Sequence, residues 1–194
     1  MNFCLYGASS NEIDSGYINA TEELGKLIGL KGHNLVYGGG ASGLMGAAAR
    51  GVKTGGGKII GVAPDFFQVD GVLFHDCTEF IYTKTMRERK QIMEEKSDAF
   101  IVTPGGIGTF DEFFEILSLR QLGRHDKPIA VFNINGYFDS MKAMIDFAIS
   151  EKFITESSGR LVKFYSNPLD IIEYFENYIP SEYDFEILKK VKKD

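Results

Sequence analysis

Apolar and polar positions along the chain follow two alternating patterns. Short continuous apolar runs indicate buried strands, and segments with an apolar residue every three or four positions indicate amphipathic helices. The predicted strands lie at 3–7, 34–37, 58–62, 79–82, 98–103, 128–133 and 161–165. The predicted helices lie at 15–30, 43–52, 85–95, 109–122, 137–150 and 168–177. Strands and helices therefore alternate from one end of the chain to the other.

This alternation predicts an α/β fold with a doubly wound, mostly parallel sheet. Continuous apolar strands between amphipathic helices are typical of a sheet that helices cover on both faces, a Rossmann-like arrangement. We find no internal repeat or linker, and we expect a single domain over 1–194. The stretch 64–76 is expected to be irregular, and the basic segment 189–193 to be a short flexible tail.

Three glycine- or serine-rich loops follow predicted strands, at 7–10, at 38–43 and around Gly105. In doubly wound sheets, ligands bind beyond the carboxyl ends of the strands, near the point where the strand order reverses. We therefore expect these loops to converge at one edge of the sheet and to form the binding site.

The third of these loops carries the most specific signal. Residues 104–112 read Pro-Gly-Gly-Ile-Gly-Thr-Phe-Asp-Glu. Glycines let several N–H groups approach one anion, and a helix N-terminus adds partial positive charge. Two carboxylates, Asp111 and Glu112, follow at once, which favours chemistry on a phosphorylated substrate. The alternative is a tight strand-to-helix turn whose acidic residues only complement the helix dipole.

A second charged group, Met86-Arg87-Glu88-Arg89-Lys90, lies on the predicted helix before the strand at 98–103. Alternating charges on a helix usually form a solvated face. Arg89 and Glu112 are 23 residues apart, however, and the connection between them is able to bring both side chains to one crevice. Spacing alone leaves both interpretations open.

Other kinds of site have weaker support. Residues 38–43 match the dinucleotide fingerprint G-x-G-x-x-G, but they follow the second strand and no acidic residue ends the next one. Residues 55–58 lack the spacing of a Walker loop. The three histidines and two cysteines show no metal-ligand or nucleophile spacing. We therefore expect neither a metal nor a cofactor.

Composition and charge narrow the functional classes. A 44% hydrophobic and 25% charged chain is typical of a globular protein. The net charge of −6 argues against nucleic-acid binding, which needs a basic face. No apolar run approaches the roughly 20 residues that span a bilayer, and no basic segment precedes the first apolar stretch. We therefore expect a cytoplasmic protein without a membrane partner.

Taken together, these motifs resemble the LONELY GUY family of cytokinin riboside 5′-monophosphate phosphoribohydrolases, long described as possible lysine decarboxylases. The family's PGGxGTxxE loop and upstream Met-x-x-Arg-Lys segment correspond to 104–112 and 86–90. The resemblance runs from residue 2 to about 166, with further agreement at 37–46, 97–100 and 121–128. Arg87 and Asp111 depart from it, because many members have His and Glu there.

The resemblance implies both the reaction and the site. An adenosine 5′-monophosphate, plain or N6-modified, would be hydrolysed to free base and ribose 5-phosphate without a cofactor. Arg89 and Glu112 are implied to be catalytic. The implied ligand-binding residues are Gly105, Gly106, Ile107, Gly108 and Thr109 for the phosphate, and Met86, Lys90, Asp111 and Ser118 for the rest of the substrate. A homodimer is also implied.

The implied chemistry assigns different tasks to the two catalytic residues. Glycosidic cleavage passes through an oxocarbenium-like transition state, which the Glu112 carboxylate would stabilise while it orients the attacking water. An arginine does not readily donate its proton, so Arg89 would act electrostatically. The alternatives are a general purine nucleoside 5′-monophosphate nucleosidase, a non-catalytic nucleotide-binding protein and a pyridoxal-phosphate decarboxylase. The last needs a Schiff-base lysine with a pyridinium partner, and no such pair is recognisable.

Overall fold

The computed structural model describes residues 1–180, which form a seven-stranded sheet between helices. Its strands are β1 (Asn2–Tyr6), β2 (Asn34–Tyr37), β3 (Ile59–Pro64), β4 (Glu79–Thr83), β5 (Ala99–Val102), β6 (Ile129–Phe132) and β7 (Val162–Tyr165). Every neighbouring pair is parallel, in the order β4-β3-β2-β1-β5-β6-β7. The predicted α/β fold with a doubly wound parallel sheet is therefore confirmed.

Six of the seven helices within this part of the chain correspond to predicted ones, with bounds that differ by at most three residues, and one short helix is an addition. They are α1 (Ser15–Leu30), α2 (Gly43–Gly55), α3 (Met86–Glu95), α4 (Ile107–Gln121), α5 (Asp139–Ser150), α6 (Glu156–Gly159) and α7 (Pro168–Glu176). The additional helix, α6, has four residues and is too short to produce a periodic apolar pattern. Short 3₁₀ turns at Asp65–Phe67 and Ile134–Gly136 complete the connections.

Two helix starts differ from the prediction for local reasons. Helix α4 begins at Ile107, inside the glycine loop, because the first residues of a helix need no intrahelical acceptor for their N–H groups. Helix α5 begins at Asp139 rather than 137 because left-handed residues precede it. These are Asn135, with φ of 51°, and Gly136, with φ of 73°.

The winding of the chain reverses between β1 and β5. The chain moves outwards from β1 to β4 and then returns to place β5 beside β1. The loops that follow these two strands leave the sheet at the same edge, and Ala8 N donates a 3.0 Å hydrogen bond to Pro104 O between them. In this class of fold, ligands bind at such a reversal.

Two apolar cores lie on opposite faces of the sheet. Strand β1 contributes to both: Phe3 and Leu5 belong to the core that includes α1, α2 and α7, whereas Cys4 and Tyr6 belong to the core that includes α3 and α4. Met93 of α3 and Phe113 of α4 are fully buried in this second core. Shared packing therefore fixes α3 and α4, the two helices that carry the predicted catalytic residues.

No helix within residues 1–180 is both long enough and apolar enough to cross a membrane. The predicted basic tail at 189–193 lies outside the described residues. That the whole chain forms a single domain stays a prediction.

Candidate active site

A cavity of about 620 Å³ opens at the edge of the sheet where the winding reverses. The loops after β1, β2 and β5 contribute Gly7, Ser9, Gly38, Ser42 and Gly106 to its wall. The three glycine- and serine-rich loops therefore converge, as their positions after strands predict. A volume of ~300–1,000 Å³ is typical of small-ligand sites.

The loop after β5 leaves several backbone N–H groups without a protein partner. Its first three carbonyls are all engaged, with Pro104 O accepting from Ala8 N (3.0 Å), Gly105 O from the Tyr137 hydroxyl (2.6 Å) and Gly106 O from Phe110 N (3.0 Å). Among residues 1–180, no acceptor binds the N–H groups of 106–109. These residues start α4 and line the cavity, an arrangement that favours the binding of an anion.

Glycine is required at Gly105 for steric reasons. A β-carbon there would collide with Thr109 Oγ1, and the loop folds tightly onto the first turn of α4 only without it. Gly105 stands behind the cavity wall, whereas Thr109 lines the wall and is 4% exposed. A β-carbon at Gly106 or Gly108 would meet nothing within 4 Å, so the space beside these amides is open.

Helices α3 and α4 bring Arg89 and Glu112 together in the cavity wall. Arg89 Nη1 donates to Glu112 Oε1 over 2.7 Å, and Arg89 Nε donates to the Val62 carbonyl of β3 over 3.1 Å. The two side chains are only 8% and 10% exposed. The charges of α3 are therefore not all on a solvated face, because Arg89 belongs to a buried ion pair.

Gly38, the first residue after β2, makes room for this ion pair. A β-carbon at Gly38 would collide with Arg89 Nη2. Glycine is needed here because the guanidinium passes directly over the backbone of this residue and leaves no space for a side chain. The second glycine loop thus shapes the surroundings of Arg89.

Burial raises the pKa of the Glu112 carboxyl above its ordinary value. The charge of Arg89 and its hydrogen bond oppose this rise, while the neighbouring Asp111 adds to it. Ionisation of Glu112 inside the protein therefore depends on the guanidinium beside it.

Most of the residues implied by the family resemblance reach the cavity. Those in its wall are Met86, Arg89, Gly106, Ile107, Gly108, Thr109, Asp111 and Glu112. Lys90 and Ser118 do not line it and lie instead in a shallow depression along α4. Successive side chains of an α-helix are rotated by about 100° around its axis. Lys90 therefore points in a different direction from Arg89, and Ser118, six residues after Glu112, lies on a different face of α4.

Lys90, which does not line the cavity, binds two carboxylates of α4. Its Nζ lies 2.9 Å from Asp111 Oδ2 and 2.6 Å from Glu115 Oε2. Lys90 therefore balances negative charge at the start of α4 and does not extend into the cavity of its own chain.

An apolar part of the wall comes from residues that the motifs do not include. Its side chains are those of Met45, Phe67, Val72 and Leu73, beside Met86. The stretch 64–76 is held against the second glycine loop, since Ala41 N donates to Val72 O and Phe74 N to Gly39 O, each over 2.9 Å. The signal for Phe67, Val72 and Leu73 in the sequence is an irregular stretch after a strand, at the edge where ligands bind, whereas Met45 lies in the stretch 37–46 that agrees with the family.

Within residues 1–180, no three His, Cys, Asp or Glu side chains are grouped so as to hold a metal ion. Burial raises the pKa of the Cys4 thiol to about 12 and also raises that of Cys77. Neither thiol is therefore a nucleophile at neutral pH. The buried ionisable pair of the cavity wall is Arg89 with Glu112.

Comparison with protein families matches residues 45–175 to the family described as possible lysine decarboxylase. The chain belongs to this family. Cytokinin riboside 5′-monophosphate phosphoribohydrolase LOG of Oryza sativa subsp. japonica is 38% identical, over 93% of this chain and 74% of its own length. The Arabidopsis thaliana enzyme LOG2 is 34% identical, over 94% of this chain and 85% of its own length. The predicted LONELY GUY membership is confirmed.

Solved structures with lower identity share the fold. The molybdenum cofactor binding protein of Rippkaea orientalis has a TM-score of 0.69 and 24% identity, over 90% of this chain and 94% of that one. The Moco carrier protein of Chlamydomonas reinhardtii has a TM-score of 0.67 and 22% identity, over 90% and 94% of the two chains. At these identities the likeness concerns the fold alone.

Gly38→Ala is expected to destabilise the protein through its collision with Arg89. Overpacking of this kind costs about 1–3 kcal/mol in the free energy of unfolding. The cost should be smaller when Arg89→Ala is already present, because the colliding group is then absent. Urea unfolding of the two single variants and the double variant measures this coupling, expected at about 0.5–3 kcal/mol.

Gly40→Ala is the matched control, since its β-carbon meets the movable Met45 methyl group instead of Arg89. The effects of Gly40→Ala and Arg89→Ala should add. Equal destabilisation by Gly38→Ala in both backgrounds would contradict the contact.

Proposed function

We propose that the protein hydrolyses the N-glycosidic bond of adenosine 5′-monophosphates, with N6-modified forms preferred, and releases free base and ribose 5-phosphate. The observation that carries this proposal is the buried Arg89–Glu112 pair in one cavity with the unpartnered N–H groups of 106–109. The phosphoribohydrolase names of the relatives support the same reaction.

The 5′-phosphate binds at the start of α4. The N–H groups of 106–109 and the hydroxyl of Thr109 donate hydrogen bonds to it, and the helix dipole adds favourable charge. The phosphate takes no part in bond breaking. Its binding energy holds C1′ of the ribose against Glu112. The substrate therefore loses less translational and rotational entropy on the way from the bound state to the transition state.

Glu112 acts on the ribose while the bond to the base breaks. Positive charge develops on the ribose ring, and the carboxylate stabilises it and orients the water that adds to C1′. Burial raises the pKa of Glu112 and favours the neutral acid, whereas the charge of Arg89 opposes that rise and favours the ionised carboxylate. The base leaves with the bonding electron pair and a proton.

An apolar N6 substituent fits the wall formed by Met45, Phe67 and Val72. Burial of apolar surface contributes about 25 cal/mol per Å², so an isopentenyl-type group gains affinity there that a bare amino group lacks. A general purine nucleoside 5′-monophosphate nucleosidase is the second candidate. Equal kcat/KM for AMP and its N6-isopentenyl derivative would favour that candidate.

A nucleotide carrier and a decarboxylase both have less support from this cavity. A non-catalytic carrier of nucleotides gains nothing from an ionised carboxylate in the wall of an anion site, because the carboxylate repels the ligand. A pyridoxal-phosphate decarboxylase needs a lysine in the cavity. The lysine of the family motif, Lys90, is bound to Asp111 and Glu115 outside it.

The same proposal includes a cytoplasmic, single-domain chain that forms a homodimer through α4. Phe113 is fully buried in the core, whereas Ile107 and Phe114 of the same helix are 83% and 39% exposed. Apolar side chains exposed together on one helix are typical of an interface. The second copy would then lie beside the cavity, because Ile107 is part of its wall.

AMP is expected to be a much better substrate than adenosine. Loss of two charge-assisted hydrogen bonds costs about 3 kcal/mol or more, which corresponds to at least a hundredfold in kcat/KM. Chromatography of reaction mixtures, with detection of free adenine and ribose 5-phosphate, measures both rates. Comparable values for the two substrates would remove the phosphate-binding assignment of 106–109.

Glu112→Gln is expected to lower kcat about a hundredfold or more with little change in AMP affinity, because only the charge that acts in the transition state is lost. Glu115→Gln is the matched control, a carboxylate one turn further along α4 and outside the cavity wall. Base release, AMP binding and thermal stability are measured on the same preparations. A stable Glu112→Gln enzyme with normal turnover would disprove the catalytic role.

Phe114→Asp is expected to convert the dimer to a monomer, because a charge replaces apolar surface at the proposed interface. Light scattering coupled to size-exclusion chromatography measures the mass of each variant. Phe147→Asp provides the control, since Phe147 of α5 is 66% exposed and lies on a different helix. A monomeric wild type, or dissociation by the α5 substitution alone, would contradict the proposal.

A further inference from the structure

The turn between β6 and α5 brings an aromatic side chain to the phosphate-binding loop. The Tyr137 hydroxyl donates a 2.6 Å hydrogen bond to the carbonyl oxygen of Gly105, 32 residues earlier in the chain. Tyr137 lies outside both motifs, 86–90 and 104–112, and it does not line the cavity. Its contact with the site therefore passes through the backbone of the loop.

This hydrogen bond fixes the direction of an amide that the ligand uses. The Gly105 carbonyl and the Gly106 N–H belong to one planar trans peptide and point in opposite directions. Holding the carbonyl on one side therefore holds the N–H on the other. A peptide between two glycines rotates more easily than others, because neither residue has a β-carbon that restricts φ and ψ.

The neighbouring peptides are fixed by backbone donors. Pro104 O accepts from Ala8 N and Gly106 O accepts from Phe110 N, each over 3.0 Å. Of these three consecutive peptides, the middle one, between Gly105 and Gly106, is the one whose carbonyl is bound by a side chain. Its orientation therefore depends on Tyr137.

Tyr137 is itself held in place by its surroundings. The Asn133 side chain accepts a 2.7 Å hydrogen bond from Phe138 N and donates one of 2.7 Å to Asp139, which braces the turn. The Tyr137 ring meets the rings of Phe138 and Tyr17 edge to face, at centroid distances of 4.9 and 6.1 Å. The hydroxyl thus extends from a fixed ring.

We propose that Tyr137 is a positioning residue that holds the Gly105–Gly106 peptide in the orientation that binds the substrate's phosphate. The inference rests on the proposed function, since it concerns the phosphate of that substrate. The position of this peptide affects substrate binding in the ground state and in the transition state equally, because the phosphate is bound in both. A change at Tyr137 should therefore alter KM and leave kcat nearly constant.

Tyr137→Phe tests this role, because it removes the hydroxyl and keeps the ring contacts. The loss of one hydrogen bond is expected to raise KM for AMP roughly three- to tenfold and the Kd of ribose 5-phosphate by the same factor. Inhibition by adenine, which carries no phosphate, should not change. Steady-state kinetics with AMP and calorimetric titration with ribose 5-phosphate give these values.

Tyr17→Phe is the matched control. Tyr17 contacts the Tyr137 ring from α1, and no hydrogen bond of its hydroxyl is present among residues 1–180. The control variant should therefore bind ribose 5-phosphate like the wild type.

Three results would overturn the inference: unchanged ribose 5-phosphate binding in Tyr137→Phe, equal weakening of ribose 5-phosphate and adenine, or the same loss in Tyr17→Phe. The proposed function fails separately, if the wild type binds ribose 5-phosphate but releases no base from AMP. In that case the calorimetric comparison still decides the role of Tyr137. A wild type that binds no ribose 5-phosphate would contradict both.

Discussion

The buried ion pair between Arg89 and Glu112 is the interaction on which the rest of the site depends. Removing charged groups from water is costly unless each finds a partner in good geometry, and both side chains are at most 10% exposed. The pair also needs the Val62 carbonyl of β3 and the free space over Gly38 after β2. Because these parts come from elements on both sides of β1, the site is complete only when β2, β3 and β5 are in place with α3 and α4.

Local patterns were sufficient to predict the architecture. The five central strands are short, mostly buried apolar runs, and a buried parallel strand has this pattern whatever lies around it. The two edge strands, β4 and β7, are partly exposed and contain charged residues, but enough apolar positions remain to predict them. The convergence of the glycine loops also followed, because parallel strands place all their carboxyl ends at one edge. The pairing of Arg89 with Glu112 was only a possibility in the sequence, since the family resemblance implied roles for both and spacing could not prove contact.

Other parts of the site depend on contacts between distant residues. Tyr137 and Gly105 are 32 residues apart, and no periodicity links a tyrosine in one turn to a carbonyl in another. The space that Gly38 provides becomes evident only when the Arg89 guanidinium is in place. Lys90 and Ser118, in contrast, were implied by the family resemblance but do not line the cavity. Family motifs give positions in the sequence, whereas the rotation of the helix decides on which face each side chain lies.

That rotation explains how two carboxylates can stand beside an anion site. Consecutive residues of α3 diverge around the helix, so Arg89 meets Glu112 in the cavity wall, whereas Lys90, which does not line the cavity, meets Asp111; the two distances are 2.7 and 2.9 Å. Each carboxylate at the start of α4 thus has its own cation, and repulsion of a phosphate is reduced.

The charge of Arg89 is engaged with Glu112, so in the proposed function the N–H groups of 106–109 would carry most of the phosphate binding. Binding and chemistry are therefore assigned to different groups. In the proposed function, the backbone amides would hold a remote, unreacting part of the substrate, and Glu112 would act at C1′. Such a division lets binding energy at the phosphate accelerate a reaction elsewhere in the same molecule.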